Sequence, residues 1–331
     1  MAKKQITLKS EVSKCNSKKR ALIVVEGVTD KKLYDYIIEN KITRDKDKYT
    51  IKCVEDFEEI NSGGCSQIIN LLEFNKSYIQ SQKSIKKILL AFIDGDANDY
   101  RKKSFDISEF SDIVHKLNYY SIESYSFGEN CLEKVLGIFL VAMPQEIREI
   151  LSILYNNIIN NTINIAFNLA ILCILNDIGI IKSELKYGIS EGIFTSGDLI
   201  YKKIDEESEI YKNQINEYVK EKSLKCNIET VKIITKGKHL NYLIAKEIHK
   251  QISLLSKEKA CKIFEYKELF EEICCTSLYE CTKNKCIFSL ENLHGNSINK
   301  YENVTILYLL IKEYIFLSNC EEIVTALKAI I

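Results

Sequence analysis

Four carboxylates of this chain follow closely on two short apolar runs: Glu26, Asp30, Asp94 and Asp96. The runs are residues 21–25 and 88–93, and such a run ended by glycine and acid predicts a buried parallel strand. Because ligands of open α/β sheets bind at the carboxyl ends of the strands, we expect these side chains to converge at one edge. Like charges held so closely are costly unless a cation lies between them, and oxygen donors favour a hard ion. The sequence therefore predicts a site for Mg²⁺ or Mn²⁺.

The carboxylates differ in how strongly their positions indicate chemistry. Glu26 lies between Val25 and Gly27, where the end of a strand gives a glutamate no evident structural task. Asp30 falls in the first turn of a predicted helix that Thr29 would cap. Asp30 therefore either completes the site or complements the helix dipole, and the sequence leaves both interpretations open.

Strand-like and helical patterns alternate through the first 130 residues. Strands are predicted at 21–25, 49–54, 88–93 and 118–122, and helices at 29–40, 66–80 and 107–116. Helical periodicity then dominates, with helices predicted at 132–143, 145–160, 163–178, 211–222, 240–256 and 304–317. The predicted fold class is α/β, a small, mainly parallel sheet with flanking helices, followed by a mostly α-helical C-terminal half. The predicted parts are a basic N-terminal arm (1–20), an α/β domain (21–130) and a mainly helical region for dimerisation or docking (131–331).

Composition sets broad limits on location and partners. The 331 residues include 46 basic and 46 acidic side chains, so the net charge is zero and indicates no global attraction to nucleic acid. The first 20 residues hold seven Lys or Arg against one acid, which favours a solvated tail and leaves phosphate contact open. No signal peptide is evident, and the apolar stretch 163–175 is shorter than a bilayer span of about 20 residues. We therefore expect a cytoplasmic protein without a membrane partner.

Cysteines are frequent, twelve in all, and four lie close together near the C-terminal end of the chain. A reducing compartment and mostly free thiols are the expected state. The alternative is a structural Zn²⁺ at Cys275, Cys281 and Cys286, with Cys274 adjacent and His294 downstream; structural zinc needs four N or S ligands. The spacing matches no standard pair of C-x2-C hooks, so reduced thiols are the favoured interpretation.

Five segments occur in an order that resembles a known family. They are VEGVTDKKLY (25–34), SGGCSQIINLL (62–72), FIDGDAND (92–99), YYSIESY (119–125) and KGKHL (236–240). A glutamate after the first strand and an Asp-x-Asp after a later one resemble the TOPRIM fold of topoisomerases, primases and OLD-type nucleases. The five together are similar to the TOPRIM effector subunits of PARIS-type anti-phage systems, the AriB-like proteins. The resemblance covers roughly residues 20 to 250.

The resemblance assigns roles to individual residues. It implies a catalytic Glu26, a metal-binding pair in Asp94 and Asp96, and a further acid in Glu123, which otherwise reads as a helix-start glutamate. Lys238 falls on the Gly-Lys segment of the family, where it either neutralises a scissile phosphate or is a surface lysine. The implied catalytic set is Glu26, Asp94, Asp96 and Lys238, and the implied metal set is Glu26, Asp30, Asp94, Asp96 and Glu123.

The resemblance also implies a function and partners. It implies a toxin that uses Mg²⁺ or Mn²⁺ to cleave RNA, host tRNA in particular, during abortive infection. It further implies an ABC-type, AriA-like ATPase that holds the subunit inactive, and a homodimer once the subunit is released. The chain itself has no G-x-x-x-x-G-K-[ST] loop for ATP. Two alternatives remain: an OLD-like DNA nuclease or nickase, and a non-catalytic TOPRIM-fold assembly subunit.

Overall fold

The computed structural model describes residues 6–60, 65–101, 106–127, 145–187, 199–257 and 320–331. The chain divides into two compact units. Unit 1 comprises Met1–Tyr125 together with Phe316–Ile331, and unit 2 comprises Ser126–Ile315. Unit 1 is α/β and the described part of unit 2 is helical, so the predicted fold class is confirmed.

The sheet of unit 1 has four parallel strands in the order β2-β1-β3-β4. The strands are β1 (Ala21–Val25), β2 (Tyr49–Cys53), β3 (Leu89–Ile93) and β4 (Val114–Lys116). All five residues of β1 are buried, as expected for a central strand of Val, Ile and Leu with helices on both faces. The next strand along the chain, β2, pairs with one side of β1, and the strand after it, β3, pairs with the other side. The crevice between β1 and β3 is therefore the topological switch point, where α/β sheets bind ligands.

Helices cover both faces of this sheet. One face holds α1 (Leu8–Ser17) and α3 (Cys65–Phe74), the latter followed by the short α4 (Lys76–Ser81). The other face holds α2 (Val28–Lys41), and a last helix, Glu321–Lys328, buries its apolar side in the same cluster. A single helical turn, α5 (Asn98–Arg101), follows the acidic loop after β3.

The N-terminal segment differs from the predicted solvated arm. α1 buries Leu8, Val12 and Cys15 in the core, while its lysines lie on the exposed side. Lys9 and Lys14 thus lie on the solvated face of an amphipathic helix, and Lys18, Lys19 and Arg20 follow its end. The last residues also differ from the prediction, because 320–331 belong to unit 1 rather than to the helical region.

The fourth strand was predicted too late in the chain, and the helix predicted at 107–116 is wrong. The structure has a 3₁₀ turn at Ser108–Phe110 and then β4 at Val114–Lys116. Helical spacing is present in this segment at Phe110, Ile113 and Leu117. Pairing with β3 nonetheless gives the segment a strand conformation. Ala91 N donates to Ile113 O, and Leu117 N donates to Ile93 O.

The described part of unit 2 contains a long helix, α6 (Gln145–Asp177), where two shorter ones were predicted. It contacts α7 (Leu199–Ile210), α8 (Lys212–Glu221), α9 (Ile228–Ile234) and α10 (Gly237–Lys257). The helices predicted at 211–222 and 240–256 are confirmed, apart from their ends. Those predicted at 132–143 and 304–317 lie outside the described residues.

One helical stretch in the described residues, Asn156–Asp177, is long and apolar enough to cross a membrane. It exceeds the 13-residue stretch considered from the sequence because the helix extends beyond that stretch at both ends. Most of it is buried inside the protein, and core helices of this kind pass the same test of length and composition.

Candidate active site

The acidic residues after β1 and β3 meet at the switch point. Glu26 follows the last residue of β1 and Asp94 follows the last residue of β3, and these strands are hydrogen-bonded neighbours. The Asp94 backbone N–H donates to Glu26 Oε1 at 3.2 Å. Both side chains are partly exposed at the carboxyl edge of a buried sheet. The expected convergence of Glu26 and Asp94 is thus present in the structure.

Five carboxylates share one electrostatic environment, with Asp94 as its focus. Burial raises the pKa of Asp94 well above its ordinary value. The negative charges of Glu26, Asp30, Glu123 and Asp96 raise the pKa further, in that order. The other four residues of the implied metal set therefore all act on Asp94. Such an environment disfavours an additional negative charge and favours a cation.

A strained loop presents Asp96. Asp96 and Ala97 have φ values of 52° and 50°, which side-chain-bearing residues rarely adopt. Two backbone bonds hold the loop, from Gly95 N to Tyr119 O at 3.1 Å and from Asp96 N to Tyr120 O at 2.9 Å. A Cβ at position 95 would lie 2.3 Å from the Tyr119 carbonyl oxygen, so the close approach of the two segments requires glycine. Strain of this kind often accompanies functional sites.

Asp30 has a structural task as well as an electrostatic one. Its Oδ2 accepts a hydrogen bond from Gly27 N at 2.9 Å, which ties the start of α2 to its first turn. Gly27 is the N-cap residue, so the expectation that Thr29 caps this helix is wrong; Thr29 is already helical. The negative charge of Asp30 also raises the pKa of Asp94, so Asp30 belongs to the acidic cluster. Its role as a metal ligand stays a prediction.

Glu123 is almost completely buried, at 3% exposed. It lies at the start of the 3₁₀ turn Ile122–Ser126, which agrees with the alternative prediction of a glutamate at a helix start. It also raises the pKa of Asp94, so the turn brings this carboxylate to the same site.

Lys238 lies in unit 2, in the first turn of α10, and its side chain is partly exposed. Its predicted catalytic role stays a prediction.

The cysteine cluster at 274–286 and His294 lie outside the described residues, so the zinc alternative also stays a prediction. Among the described residues, Cys15, Cys53, Cys226 and Cys320 are free thiols.

The donor set of the site fits a hard divalent cation in its chemistry. The donors are carboxylate oxygens, which Mg²⁺ and Mn²⁺ prefer, and their mutual repulsion disfavours the cation-free state. Across the described ranges, no group of three or more His, Cys, Asp or Glu side chains is arranged to hold a metal ion as it stands. The fit therefore rests on donor type and charge.

Sequence reasoning missed several residues that support the site. Arg101 Nη1 donates to the Asp96 carbonyl oxygen at 3.1 Å and so helps to hold the strained loop. Tyr34 lies one helical turn after Asp30, a spacing that the sequence does show. Glu322 accepts from Asn118 N at 3.1 Å across 204 residues, and no local pattern indicates such a contact.

Comparison with known proteins adds no family assignment. A scan against models of protein families finds no match to this chain, and a search of curated proteins finds no relative. The functional interpretation therefore depends on the geometry and charge of the acidic site and on the resemblance of its motifs.

Proposed function

We propose that this chain is a divalent-cation-dependent phosphodiesterase of the TOPRIM type that cleaves nucleic acid. The observation that supports this most is the cluster of Asp94 with four further carboxylates at the switch point of a parallel sheet. Open α/β sheets bind ligands at this position, and an all-carboxylate site selects a cation that also binds phosphate.

Glu26, Asp94 and Asp96 would hold the Mg²⁺ or Mn²⁺ ion, with Asp30 and Glu123 adding negative charge around them. When bound, the ion supplies charge stabilisation for phosphoryl oxygens and acidifies a bound water. The residues themselves have separate tasks. The hydrogen bond from Asp94 N holds the Glu26 carboxylate where it can orient a water for in-line attack. The Asp96 loop is held by the segment that follows β4.

The basic side chains that serve this site are not those of the N-terminus. Lys18, Lys19 and Arg20 precede β1, whereas Glu26 follows it, so the five-residue strand separates them by about 16 Å along the sheet. Arg101 and Lys116 lie at the same edge as the acids, one bonded to the Asp96 carbonyl and one 4.0 Å from Asp99. In this proposal, these two cations would contact the phosphate backbone of the substrate.

The resemblance of the motifs directs the choice of substrate. It favours RNA, with host tRNA as the leading substrate, and an anti-phage role in the cytoplasm. In this proposal the chain is an AriB-like toxin that an AriA-like, ABC-type ATPase holds inactive until release, after which it works as a homodimer. The test with plasmid DNA described below addresses the OLD-like alternative.

Cleavage assays on the purified chain test the proposal. With Mg²⁺ or Mn²⁺, the wild type is expected to cleave a tRNA mixture, and Glu26→Ala is expected to lower the rate at least 100-fold with an unchanged circular dichroism spectrum. Glu58→Ala is a matched control, because Glu58 is exposed and lies outside the acid set. Equal cleavage by wild type and Glu26→Ala would refute the role of Glu26.

The same assay separates the alternatives. Cleavage of supercoiled plasmid in preference to tRNA would favour an OLD-like DNA nuclease. Absence of cleavage together with absence of Mn²⁺ binding, in a chain that still forms a complex with an ATPase, would favour the non-catalytic assembly subunit.

A further inference from the structure

The hydroxyl of Tyr34 is a buried polar group to which the proposed reaction assigns no task. Tyr34 belongs to α2, is 2% exposed, and its ring packs on that of Phe92 with centroids 4.5 Å apart. In the part of the chain that the structure describes, the hydroxyl has no hydrogen-bond partner. Leaving a buried hydroxyl without a partner costs about 1–3 kcal/mol, so phenylalanine would serve the core better than tyrosine.

The geometry of α2 directs this hydroxyl toward the acidic edge of the sheet. Side chains of a helix lean toward its N-terminus, and α2 begins two residues after Glu26. Asp30 lies one turn before Tyr34 on the same helical face. Phe92, on which the ring packs, lies two residues before Asp94 on the chain. The phenol therefore extends from the core toward the carboxylates.

The charges around Tyr34 are mainly those of the acidic site. Burial raises the pKa of Tyr34 well above its ordinary value, and the negative charges of Asp94, Asp30 and Glu26 raise it further. Asp94 has the largest effect among these charges, and Glu322 adds the smallest. The hydroxyl consequently stays protonated at neutral pH and is a neutral hydrogen-bond donor among anions.

We infer, on the basis of the proposed nuclease function, that Tyr34 is a positioning residue whose O–H donates to an oxygen atom bound beside Asp94. The oxygen belongs either to a water or to a phosphate, since both accept a hydrogen bond and both accompany a cation at such a site. A neutral donor orients that oxygen without competing with the cation for the carboxylates. A residue that is unfavourable for folding and useful for the reaction accounts for tyrosine at this position.

A pair of variants tests the inference. Tyr34→Phe keeps the packing on Phe92 and removes the hydroxyl alone. Tyr49→Phe is the matched control, because Tyr49 is also buried on this face of the sheet. Its hydroxyl, however, donates to Asp35 Oδ1 at 2.7 Å and it begins β2, at the opposite edge. Each variant is compared with the wild type in thermal unfolding, in Mn²⁺ titration by calorimetry, and in kcat/KM on tRNA.

The two variants are expected to behave in opposite ways. Tyr34→Phe should unfold at the same or a higher temperature and lose at least 10-fold in kcat/KM, whereas Tyr49→Phe should unfold earlier and keep kcat/KM within twofold. A 3- to 10-fold loss of Mn²⁺ affinity in Tyr34→Phe identifies a water as the acceptor. Unchanged Mn²⁺ affinity with weaker binding of inorganic phosphate in the presence of Mn²⁺ identifies a phosphate oxygen.

Two results would overturn the inference. One is Tyr34→Phe matching the wild type in Mn²⁺ affinity, phosphate affinity and cleavage. The other is Tyr34→Phe unfolding earlier with all ligand affinities unchanged, which is the pattern of a purely structural hydroxyl. Failure of the wild type to cleave RNA or DNA refutes the nuclease function separately, because the Mn²⁺ and phosphate titrations still decide the role of Tyr34.

Discussion

At the scale of single residues, Asp94 is a carboxylate whose ionised form is disfavoured by burial and by neighbouring negative charges. It is partly buried, its backbone N–H is bonded to Glu26, and four further carboxylates act on it. An acid with a raised pKa in the folded state opposes folding once it is ionised. The cation-free protein is therefore less stable than it would be without this charge, and a bound cation offsets the cost.

Asp94→Asn should accordingly raise the stability of the cation-free protein. At pH 7.5 we expect an increase in Tm of roughly 1–2 °C, the shift that about 1 kcal/mol produces in a chain of 331 residues. The folded state of the wild type binds the proton more tightly than the unfolded state. Its stability should therefore fall as pH rises from the ordinary pKa of Asp through the raised folded pKa, and Asn should remove this trend. Thermal unfolding in EDTA across pH 4–8 measures both effects.

Addition of Mn²⁺ provides the control for this variant. The wild type should gain stability with the metal by linkage, and Asp94→Asn should gain much less. A cation-free variant that is less stable than the wild type at every pH would contradict the assigned role of Asp94.

At the scale of elements, the last helix supports the site although its sequence is remote from it. This helix, α11 (Glu321–Lys328), buries Ile323, Val324 and Leu327 in the core that contains α2. Its Glu322 accepts from Asn118 N and from the Tyr125 hydroxyl. The segment from Leu117 to Tyr120 in turn holds the backbone of the Asp96 loop. A contact made by the C-terminal helix therefore contributes to the shape of the acidic site.

Removal of this carboxylate should weaken both the fold and the reaction. Glu322→Ala removes the acceptor of the Tyr125 hydroxyl and one of the two acceptors of the Asn118 amide, which also donates to the Tyr125 hydroxyl oxygen at 3.2 Å. We expect a loss of about 1–3 kcal/mol in unfolding free energy. Cleavage should fall several-fold, because the loop that presents Asp96 loses support. Glu321→Ala is the control, since Glu321 is exposed and should change stability by less than about 0.5 kcal/mol. Equal urea denaturation curves for the two variants would contradict this account.

At the scale of the whole molecule, charge is balanced overall and divided locally. The net charge is zero, yet the five carboxylates of the candidate site lie together at the carboxyl edge of the sheet. The basic end of α1 lies at the opposite edge. Under the proposed function, we expect a polyanion at this site to meet Arg101 and Lys116 rather than the N-terminal lysines. Binding of nucleic acid should therefore depend on a few local cations and on the bound metal.

Substitution of the two groups of cations should distinguish these edges. Arg101→Ala is expected to lower kcat/KM on tRNA at least 10-fold, because it removes a cation and the bond to the Asp96 carbonyl. The double variant Lys18→Ala/Lys19→Ala is expected to stay within twofold of the wild type. The salt dependence of tRNA binding should become shallower in Arg101→Ala and stay unchanged in the double variant. The reverse pattern would show that substrate binds along the N-terminal helix.

The sequence by itself determined the fold class and the main acids of the site. Runs of Val, Ile and Leu bury both faces of a strand, so 21–25 and 88–93 were recognisable as central strands from composition alone. In open α/β sheets, ligands bind at the carboxyl ends of the strands. Because Glu26 and Asp94 both follow such ends on neighbouring strands, they lie together as expected. Their common function as a cation site is the part that experiment must decide.

Only the tertiary structure decided the features that depend on residues far apart in the chain. The segment 107–116 has helical spacing, and pairing with β3 overrode that spacing to form β4. Glycine at 95 is required by a carbonyl 24 residues away, and the site is supported by Glu322 from the far end of the chain. Local patterns record propensity and burial, whereas these contacts arise when distant segments pack, so no window of sequence contains them.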